Sequence, residues 1–168
     1  MRILVLSDTH GDFNSMLRAV DAQKNAEVII HCGDGKAQID SLTEKFPDKK
    51  IIAVRGNCDF GAKYPDVQNV EVGGKKIFVT HGHLFQVKFT PYNLICAARE
   101  NKADIVCFGH THCAMNEYED GLYIMNPCSC HGYCASYGYI DITDKGDIVT
   151  NIVRLDREVL REFLRIQL

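Results

Sequence analysis

The sequence lacks long runs of one charge sign, and its charges nearly balance. Its 168 residues carry 19 Lys and Arg against 22 Asp and Glu, which gives a formal net charge of -3. Such a chain offers no basic stretch of the kind that binds a nucleic-acid polymer or an anionic membrane. We therefore expect no partner of either class, and any phosphate-bearing substrate must be held by local chemistry.

The amino terminus lacks an apolar run long enough for a signal peptide or a membrane span. In MRILVLSDTH a short apolar stretch meets Asp8 at once. A cytoplasmic protein is therefore expected. Thiols stay reduced in that compartment, so most of the eight cysteines are expected to be free.

Repeats and low-complexity linkers are also absent, and 46% of the residues are hydrophobic. This length and composition predict a single domain over residues 1–168. Apolar runs predict buried strands at 3–7, 28–32, 51–54, 77–80 and 105–108, and helical patterns occur at 13–24, 37–46 and 92–101. Asp12 is the predicted N-cap of the first helix, and Pro91 lies in the first turn of the third. The alternation is typical of an α/β protein.

The pattern changes after residue 111. Two hairpins are predicted there, with turns at Asp120-Gly121 and around Lys145-Gly146. The final stretch, DREVLREFLRIQ, predicts a helix whose arginines share one face: Arg157, Arg161 and Arg165. That face is interpreted as the solvated side of a docking helix, with a partner surface as the alternative.

Polar side chains follow all five predicted strands at the point where each strand ends. In chain order they are Asp8 and His10, His31 and Asp34, Asn57, His81 and His83, and His110 and His112. In open α/β sheets the loops at the carboxyl ends of the strands converge, and ligands bind there. A single histidine beside a strand is more often a hydrogen-bonded structural residue, but the ordered set DTH, GD, GN, H and GHTH predicts a metal site.

Seven of these side chains suffice for two ions if one carboxylate is shared. The first ion would be held by Asp8, His10, Asp34 and His112, and the second by Asp34, Asn57, His81 and His110. Mixed oxygen and imidazole ligands suit Mn, Fe, Co, Ni or Zn better than Ca or Mg. Two such ions would acidify a bridging water, and the resulting hydroxide would attack phosphorus without a covalent enzyme intermediate.

These motifs resemble the calcineurin-like metallophosphoesterases and, among them, the YfcE-like phosphodiesterases. The matching stretches are Asp8-Thr9-His10, Gly33-Asp34, Gly56-Asn57-Cys58-Asp59, Thr80-His81-Gly82-His83, Gly109-His110-Thr111-His112 and Asn126-Pro127. The resemblance implies a four-layer α-β-β-α sandwich, a dinuclear centre often active with manganese, the same ligand assignment and a homodimer. It also implies hydrolysis of small-molecule phosphoric esters, with diesters preferred.

Position 58 departs from the wider superfamily, which usually carries a histidine there to protonate the leaving group and an acidic residue next to it to orient that histidine. The YfcE-like branch resembles this chain in carrying GNCD. Because a thiol is not an imidazole, the proton donor stays open among Cys58, His83, His31 and a metal-bound water.

A cysteine-rich loop is the second departure, at the place where the family usually reads NPGS. It contains Cys128, Cys130, His131 and Cys134. These side chains could bind a further metal, act as redox-sensitive thiols or simply line the loop. A Cys-rich metal or redox sensor is therefore one alternative function. A non-catalytic interaction scaffold, as in the retromer sorting subunit of this fold, is another, although the complete set of seven ligands favours an enzyme.

Overall fold

The computed structural model describes residues 1–155, so the predicted carboxyl-terminal helix lies outside the described residues. The α-helices are α1 (Phe13–Ala22), α2 (Lys36–Lys45) and α3 (Tyr92–Glu100), and a 3-10 turn spans His83–Phe85. The strands are β1 (Arg2–Leu6), β2 (Val28–His31), β3 (Lys50–Ala53), β4 (Val67–Val72), β5 (Lys75–Thr80), β6 (Ile105–Cys107), β7 (Met115–Glu119), β8 (Leu122–Asn126), β9 (Ser136–Ile142) and β10 (Ile148–Arg154).

These strands form two five-stranded mixed sheets. The first has the order β10-β9-β1-β2-β3, and the second has the order β4-β5-β6-β8-β7. Strands β1, β2 and β3 run parallel in the first sheet, as do β5, β6 and β8 in the second. The parallel strands of each sheet therefore end on the same side, which brings their loops together.

Successive side chains along a strand point to opposite faces of the sheet and pack in different hydrophobic clusters. Ile3 and Val5 of β1 point between the sheets, where they belong to the same buried cluster as Ile77 of β5. Leu4 points the other way and packs in a cluster with Met16 of α1. A period of two is what places successive residues on opposite faces of a strand.

The outer face of the second sheet is covered in the same way. Phe78 of β5 and Val106 of β6 share a buried cluster with Leu94 and Ala98 of α3. Helices thus lie on the outer faces of two packed sheets. The expected four-layer α-β-β-α sandwich is confirmed.

Within residues 1–155 the predicted strands and helices are confirmed, with ends that differ by at most two residues. Both hairpins form, and Asp120 and Gly121 have the positive φ angles, 44° and 85°, that a tight hairpin turn requires. Pro91 is the N-cap of α3 rather than a first-turn residue. One strand, β4, was not predicted, and it pairs with β5 through the turn at Gly73 and Gly74.

Among the described residues, none of the helices is long and apolar enough to cross a membrane.

Asp12 caps α1 as predicted. Its carboxylate accepts hydrogen bonds from the Ser15 backbone N–H at 2.9 Å, the Ser15 hydroxyl at 2.7 Å and the Gly132 backbone N–H at 3.1 Å. We expect Asp12→Ala to lower the free energy of unfolding by about 1 kcal/mol, because these donors lose their partner. Urea denaturation followed by circular dichroism measures the change. Asp21→Ala, at an exposed position on the same helix, is the control, and equal losses in both variants would contradict the capping role.

Candidate metal centre

The predicted ligands lie at one end of the sandwich, in loops that follow parallel strands of both sheets. The first sheet contributes Asp8 and His10 after β1, Asp34 after β2 and Asn57 after β3, while the second contributes His81 after β5 and His110 and His112 after β6. The ligand loops predicted at the carboxyl ends of the strands thus come from two sheets.

Backbone hydrogen bonds hold neighbouring loops together. The Asp8 N–H donates to the Gly33 carbonyl at 2.9 Å, and the His10 N–H donates to the Asp34 carbonyl at 3.1 Å. In the second sheet, the Gly109 N–H donates to the His81 carbonyl at 3.1 Å. These bonds fix the spacing of the loops independently of the side chains that they present.

Two carboxylates are buried at the centre of this site. Asp8 is 0% exposed and Asp34 is 4% exposed. Within residues 1–155, the ion-pair partners of both carboxylates are histidines: His10 and His81 lie within 4.0 Å of each, and His112 also lies within 4.0 Å of Asp8. Buried carboxylates are costly without a cation. The donor set therefore fits divalent metal ions, with which oxygen and imidazole ligands combine readily.

The pKa values at the centre reflect this crowding of charge. Burial acts to raise the pKa of Asp34, but hydrogen bonds from His81 and the Cys58 N–H outweigh it and hold that pKa below its usual range. Burial acts to lower the pKa of His81, but Asp34 and Asp8 outweigh it and raise that pKa. The carboxylates thus favour positive charge at this position.

The four ligands predicted for the first ion lie together. Asp8 Oδ1 is 3.0 Å from His112 Nε2 and 3.7 Å from His10 Nε2, and the two imidazole nitrogens are 3.2 Å apart. Ligand atoms of these three side chains all lie within 4.8 Å of one another. Asp34 Oδ2 is 3.9 Å from His10 Nε2, so it adjoins this group.

The ligands predicted for the second ion are less tightly gathered. His81 Nε2 lies 3.4 Å from Asp34 Oδ2 and 3.1 Å from Asn57 Oδ1. His81 Nδ1 donates to the Cys32 carbonyl at 2.7 Å, the kind of bond that orients a metal-binding histidine. His110 lies farther away, with its ring centroid 5.0 Å from that of His81.

Five of the seven predicted ligands have a left-handed backbone. Their φ angles are 52° at Asp8, 42° at His10, 58° at Asp34, 67° at His110 and 54° at His112. Residues other than glycine rarely adopt this conformation, which costs on the order of 1 kcal/mol or more each and clusters at functional sites. The sequence gives no direct signal of this strain, because none of the five is a glycine.

Asp59 holds the candidate site together in a way that the sequence did not reveal. Its carboxylate accepts the backbone N–H groups of Asp34 at 2.7 Å, Gly35 at 2.9 Å, Lys36 at 2.8 Å and Gly56 at 2.8 Å. It therefore joins the loops after β2 and β3. In the superfamily pattern this position orients residue 58, but here both of its oxygens are engaged by the backbone.

Asn126 has a comparable role on the other sheet. Its Nδ2 donates to the Gly109 carbonyl at 2.9 Å and to Thr111 Oγ1 at 3.0 Å. These bonds fix the loop that carries His110 and His112. The Asn126-Pro127 motif indicated the residue but not its hydrogen-bond partners.

The candidate proton donors differ in position. The exposed Cys58 places its sulfur within 4.8 Å of ligand atoms of His10 and Asp34. Burial, and then Asp34, raises the pKa of its thiol, which keeps the thiol protonated near neutral pH. The His83 ring centroid is 5.4 Å from that of His81, its Nδ1 is buried without a hydrogen-bond partner, and burial lowers its pKa.

His31 is poorly placed for proton transfer to a substrate. It is fully buried, and burial lowers its pKa to about 4. Its Nδ1 accepts the Gly33 N–H at 3.2 Å, and its Nε2 lies 3.2 Å from Thr9 Oγ1. Both ring nitrogens are therefore engaged beneath the ligand loops.

The cysteine-rich loop does not gather its side chains around one point. Cys130 is fully buried, whereas Cys134 is exposed, and Cys128 Sγ lies 3.0 Å from the His112 carbonyl oxygen. Among the described residues, the close groups of possible metal ligands include none of these cysteines and not His131. All eight cysteines of the chain are free thiols in this structure. The geometry therefore does not favour a further metal at this loop.

Comparison with known proteins agrees with the fold. A family model described as the calcineurin-like phosphoesterase superfamily domain matches residues 1–145. The chain therefore belongs to this superfamily, whose members use divalent metals.

Its relatives place it near the YfcE-like members. It is 39% identical to the probable metallophosphoesterase YsnB of Bacillus subtilis, covering 77% of this chain and 75% of that protein. It is 30% identical to the phosphodiesterase YfcE of Escherichia coli K12, covering 96% of this chain and 97% of that protein. A solved structure of a predicted phosphoesterase from Streptococcus pneumoniae aligns with a TM-score of 0.77 at 30% identity, covering 92% and 90% of the two chains. The resemblance drawn from the motifs is confirmed.

The same fold also occurs in proteins named for sorting. Vps29 of Entamoeba histolytica, solved in complex with zinc, aligns with a TM-score of 0.69 at 21% identity, covering 92% of this chain and 99% of that chain. A likeness at this identity concerns the fold alone.

Proposed function

We propose that this protein is a phosphodiesterase that depends on two divalent metal ions, with manganese as the expected metal. The observation that carries the proposal is the buried pair Asp8 and Asp34, whose ion-pair partners among the described residues are histidines from three different loops. Membership of a phosphoesterase superfamily and relatives named phosphodiesterases support ester hydrolysis. The expected substrates are small-molecule phosphate diesters.

The proposed ligands keep the assignment made from the sequence. One ion would be held by Asp8, His10, Asp34 and His112, and the other by Asp34, Asn57, His81 and His110. When bound, the ions supply Lewis-acid activation of water and neutralise the phosphoryl oxygens as charge builds up.

Hydrogen bonds within the chain direct the carboxylates towards the site. Asp8 Oδ2 accepts the Ser7 hydroxyl at 2.5 Å and the His110 N–H at 3.0 Å, which leaves Oδ1 facing the histidines. Asp34 Oδ1 accepts the Cys58 N–H at 2.8 Å, which leaves Oδ2 facing His10 and His81. Each carboxylate thus has one oxygen that orients it and one that is free to bind.

Chelation and reconstitution test the proposal. The purified protein is stripped of metal, manganese is added back stepwise, and hydrolysis of bis(p-nitrophenyl) phosphate is followed beside metal content. We expect activity to disappear on stripping and to return as two ions per chain are bound. Full turnover by the metal-free protein would refute metal dependence, and saturation at one ion would refute the dinuclear centre.

The interaction scaffold is the second candidate, since Vps29 proteins share the fold. It predicts metal binding without turnover of any diester, so the same titration separates it from the enzyme. We also propose a homodimer and a cytoplasmic location, which the sequence-based interpretation implies. Light scattering during size-exclusion chromatography tests the dimer.

A change at Cys58 tests its role as proton donor. If the thiol protonates the leaving group, Cys58→Ser should slow diesters with basic alkoxide leaving groups by about 10²-fold or more and nitrophenyl esters much less, because nitrophenolate departs without a proton. The measurement is the dependence of kcat/KM on leaving-group pKa at matched metal content.

Cys58→His extends this test. This variant should hydrolyse esters with poor leaving groups faster only if Asp59 orients the new imidazole. To do so, Asp59 must give up some of the four hydrogen bonds that it accepts from the backbone. Identical slopes in the wild type and both variants would remove Cys58 from the reaction and pass the role to His83 or water.

A further inference from the structure

A cavity of about 300 Å³ adjoins the candidate metal centre on the side of α2. His10, Asp34 and Cys58 form the wall that it shares with the centre. The rest of the lining comes from the start of α2 and from Gly11, Asp59 and Phe60. A phosphoester whose phosphorus lies at the centre would therefore present one substituent to this cavity.

The start of α2 already has a carboxylate beside it, that of Asp59. A helix amino terminus ordinarily attracts anions through its free N–H groups. Here the N–H groups of Gly35 and Lys36 donate to the Asp59 carboxylate at 2.9 and 2.8 Å. Lys36 Nζ in turn lies 3.2 Å from Asp40 Oδ2. Since the Asp59 carboxylate counters the positive end of the helix and Lys36 Nζ already has an acidic partner, the cavity favours an uncharged substituent.

Phe60 is a lining residue of the cavity that carries an aromatic side chain. Its side chain is 88% exposed, so its ring is not committed to the core. Its backbone is held in successive turns, in which the Phe60 N–H donates to the Cys58 carbonyl at 3.1 Å and the Ala62 N–H donates to the Asp59 carbonyl at 3.1 Å. A ring on a fixed backbone can stack against another ring at little cost in conformational entropy.

We propose that this cavity binds a planar aromatic substituent of the substrate and that Phe60 stacks against it. This inference rests on the proposed function, because it requires the phosphoryl group to lie at the metal centre. Phe60 is then a specificity residue that separates aromatic from small aliphatic esters.

Phenylphosphonate and methylphosphonate provide the test, because they differ in the aromatic ring and have no ester bond to hydrolyse. Isothermal titration of the manganese-loaded full-length protein measures their dissociation constants. We expect phenylphosphonate to bind about tenfold more tightly than methylphosphonate to the wild type. Phe60→Ala should abolish most of this preference, and Phe60→Tyr should keep it.

Phe89→Ala is the matched control, since Phe89 is 90% exposed but lies outside the lining of this cavity. It should keep the preference for phenylphosphonate. Equal affinities of the two phosphonates for the wild type would overturn the inference, and so would loss of the preference in Phe89→Ala but not in Phe60→Ala. If the wild type still hydrolyses diesters, the proposed function is unaffected by either result. Absence of metal-dependent diester hydrolysis in the wild type would overturn both.

Discussion

Asp34→Asn is expected to lower kcat/KM for diesters on the order of 10³-fold and to reduce the number of bound ions below two per chain. An amide cannot bridge two cations as a carboxylate does. Asp34 is also the carboxylate whose Oδ2 faces His10 and His81, the one histidine at 3.9 Å and the other at 3.4 Å. Metal analysis of the purified variant, together with steady-state kinetics, measures both effects.

Asp141→Asn is the control for the loss of one carboxylate. Asp141 pairs with Arg2 at 2.6 Å, near the amino-terminal end of β1 and far along that strand from the ligand loop. Partly exposed ion pairs contribute little to stability, so this variant should keep its metal and its kcat/KM. Two ions and normal turnover in Asp34→Asn would show that the shared-ligand assignment is wrong.

Gly109→Ala is expected to disable the site by a steric route. A Cβ at this position would overlap Ser7 Oγ and lie 2.5 Å from Asp8 Oδ2, closer than real Cβ atoms approach other atoms. The loop must then move away from Asp8, so we expect the free energy of unfolding to fall by about 1 to 3 kcal/mol. Misplacing His110 and His112 should lower kcat/KM on the order of 10²-fold.

Gly138→Ala separates the local effect from a general loss of stability. Its new Cβ would lie 2.6 Å from Met125 Sδ, which belongs to a flexible side chain, and neither glycine has a positive φ angle. Gly138→Ala should therefore lose some stability but retain metal content and turnover. If the two variants lose activity alike, the close packing of Gly109 against Asp8 is not what the site requires.

Much of the fold could be predicted because its signals are local. The apolar runs of β1 and β2 and the N-cap Asp12 are each visible within a few residues. The division of the strands into two sheets is not local, because the buried runs of β1 and β5 read alike, and the sandwich was expected from the resemblance alone. β4 was missed because its side chains at an exposed edge, apart from Val72, are only partly buried or exposed, which leaves little apolar pattern.

For the site, too, local features could be predicted from the sequence and contacts between distant segments could not. Residue types and strand ends predicted which side chains gather, and Asp8, His10, Asp34 and His112 do lie together. The role of Asp59 could not be predicted, since its backbone donors come from two loops that meet only in the fold. Cys128 stands where the family pattern NPGS has a glycine, so its backbone could be either ordinary or strained. The structure has the strained form, with φ of 69° and its N–H bonded to Asn126 Oδ1 at 3.0 Å.

If the proposed metal centre forms, the division of its loops between two sheets should link the lifetime of the protein in a cell to the supply of metal. If the sheets separate at this end, the proposed metal ligands are dispersed, so the ions would bind only the folded chain. Such a ligand adds about 4 kcal/mol of stability when its free concentration is a thousand times its dissociation constant. Proteases act on the unfolded fraction, and that fraction would rise as the metal is withdrawn. Cells short of the metal should therefore contain fewer molecules of this protein, in addition to having fewer active ones.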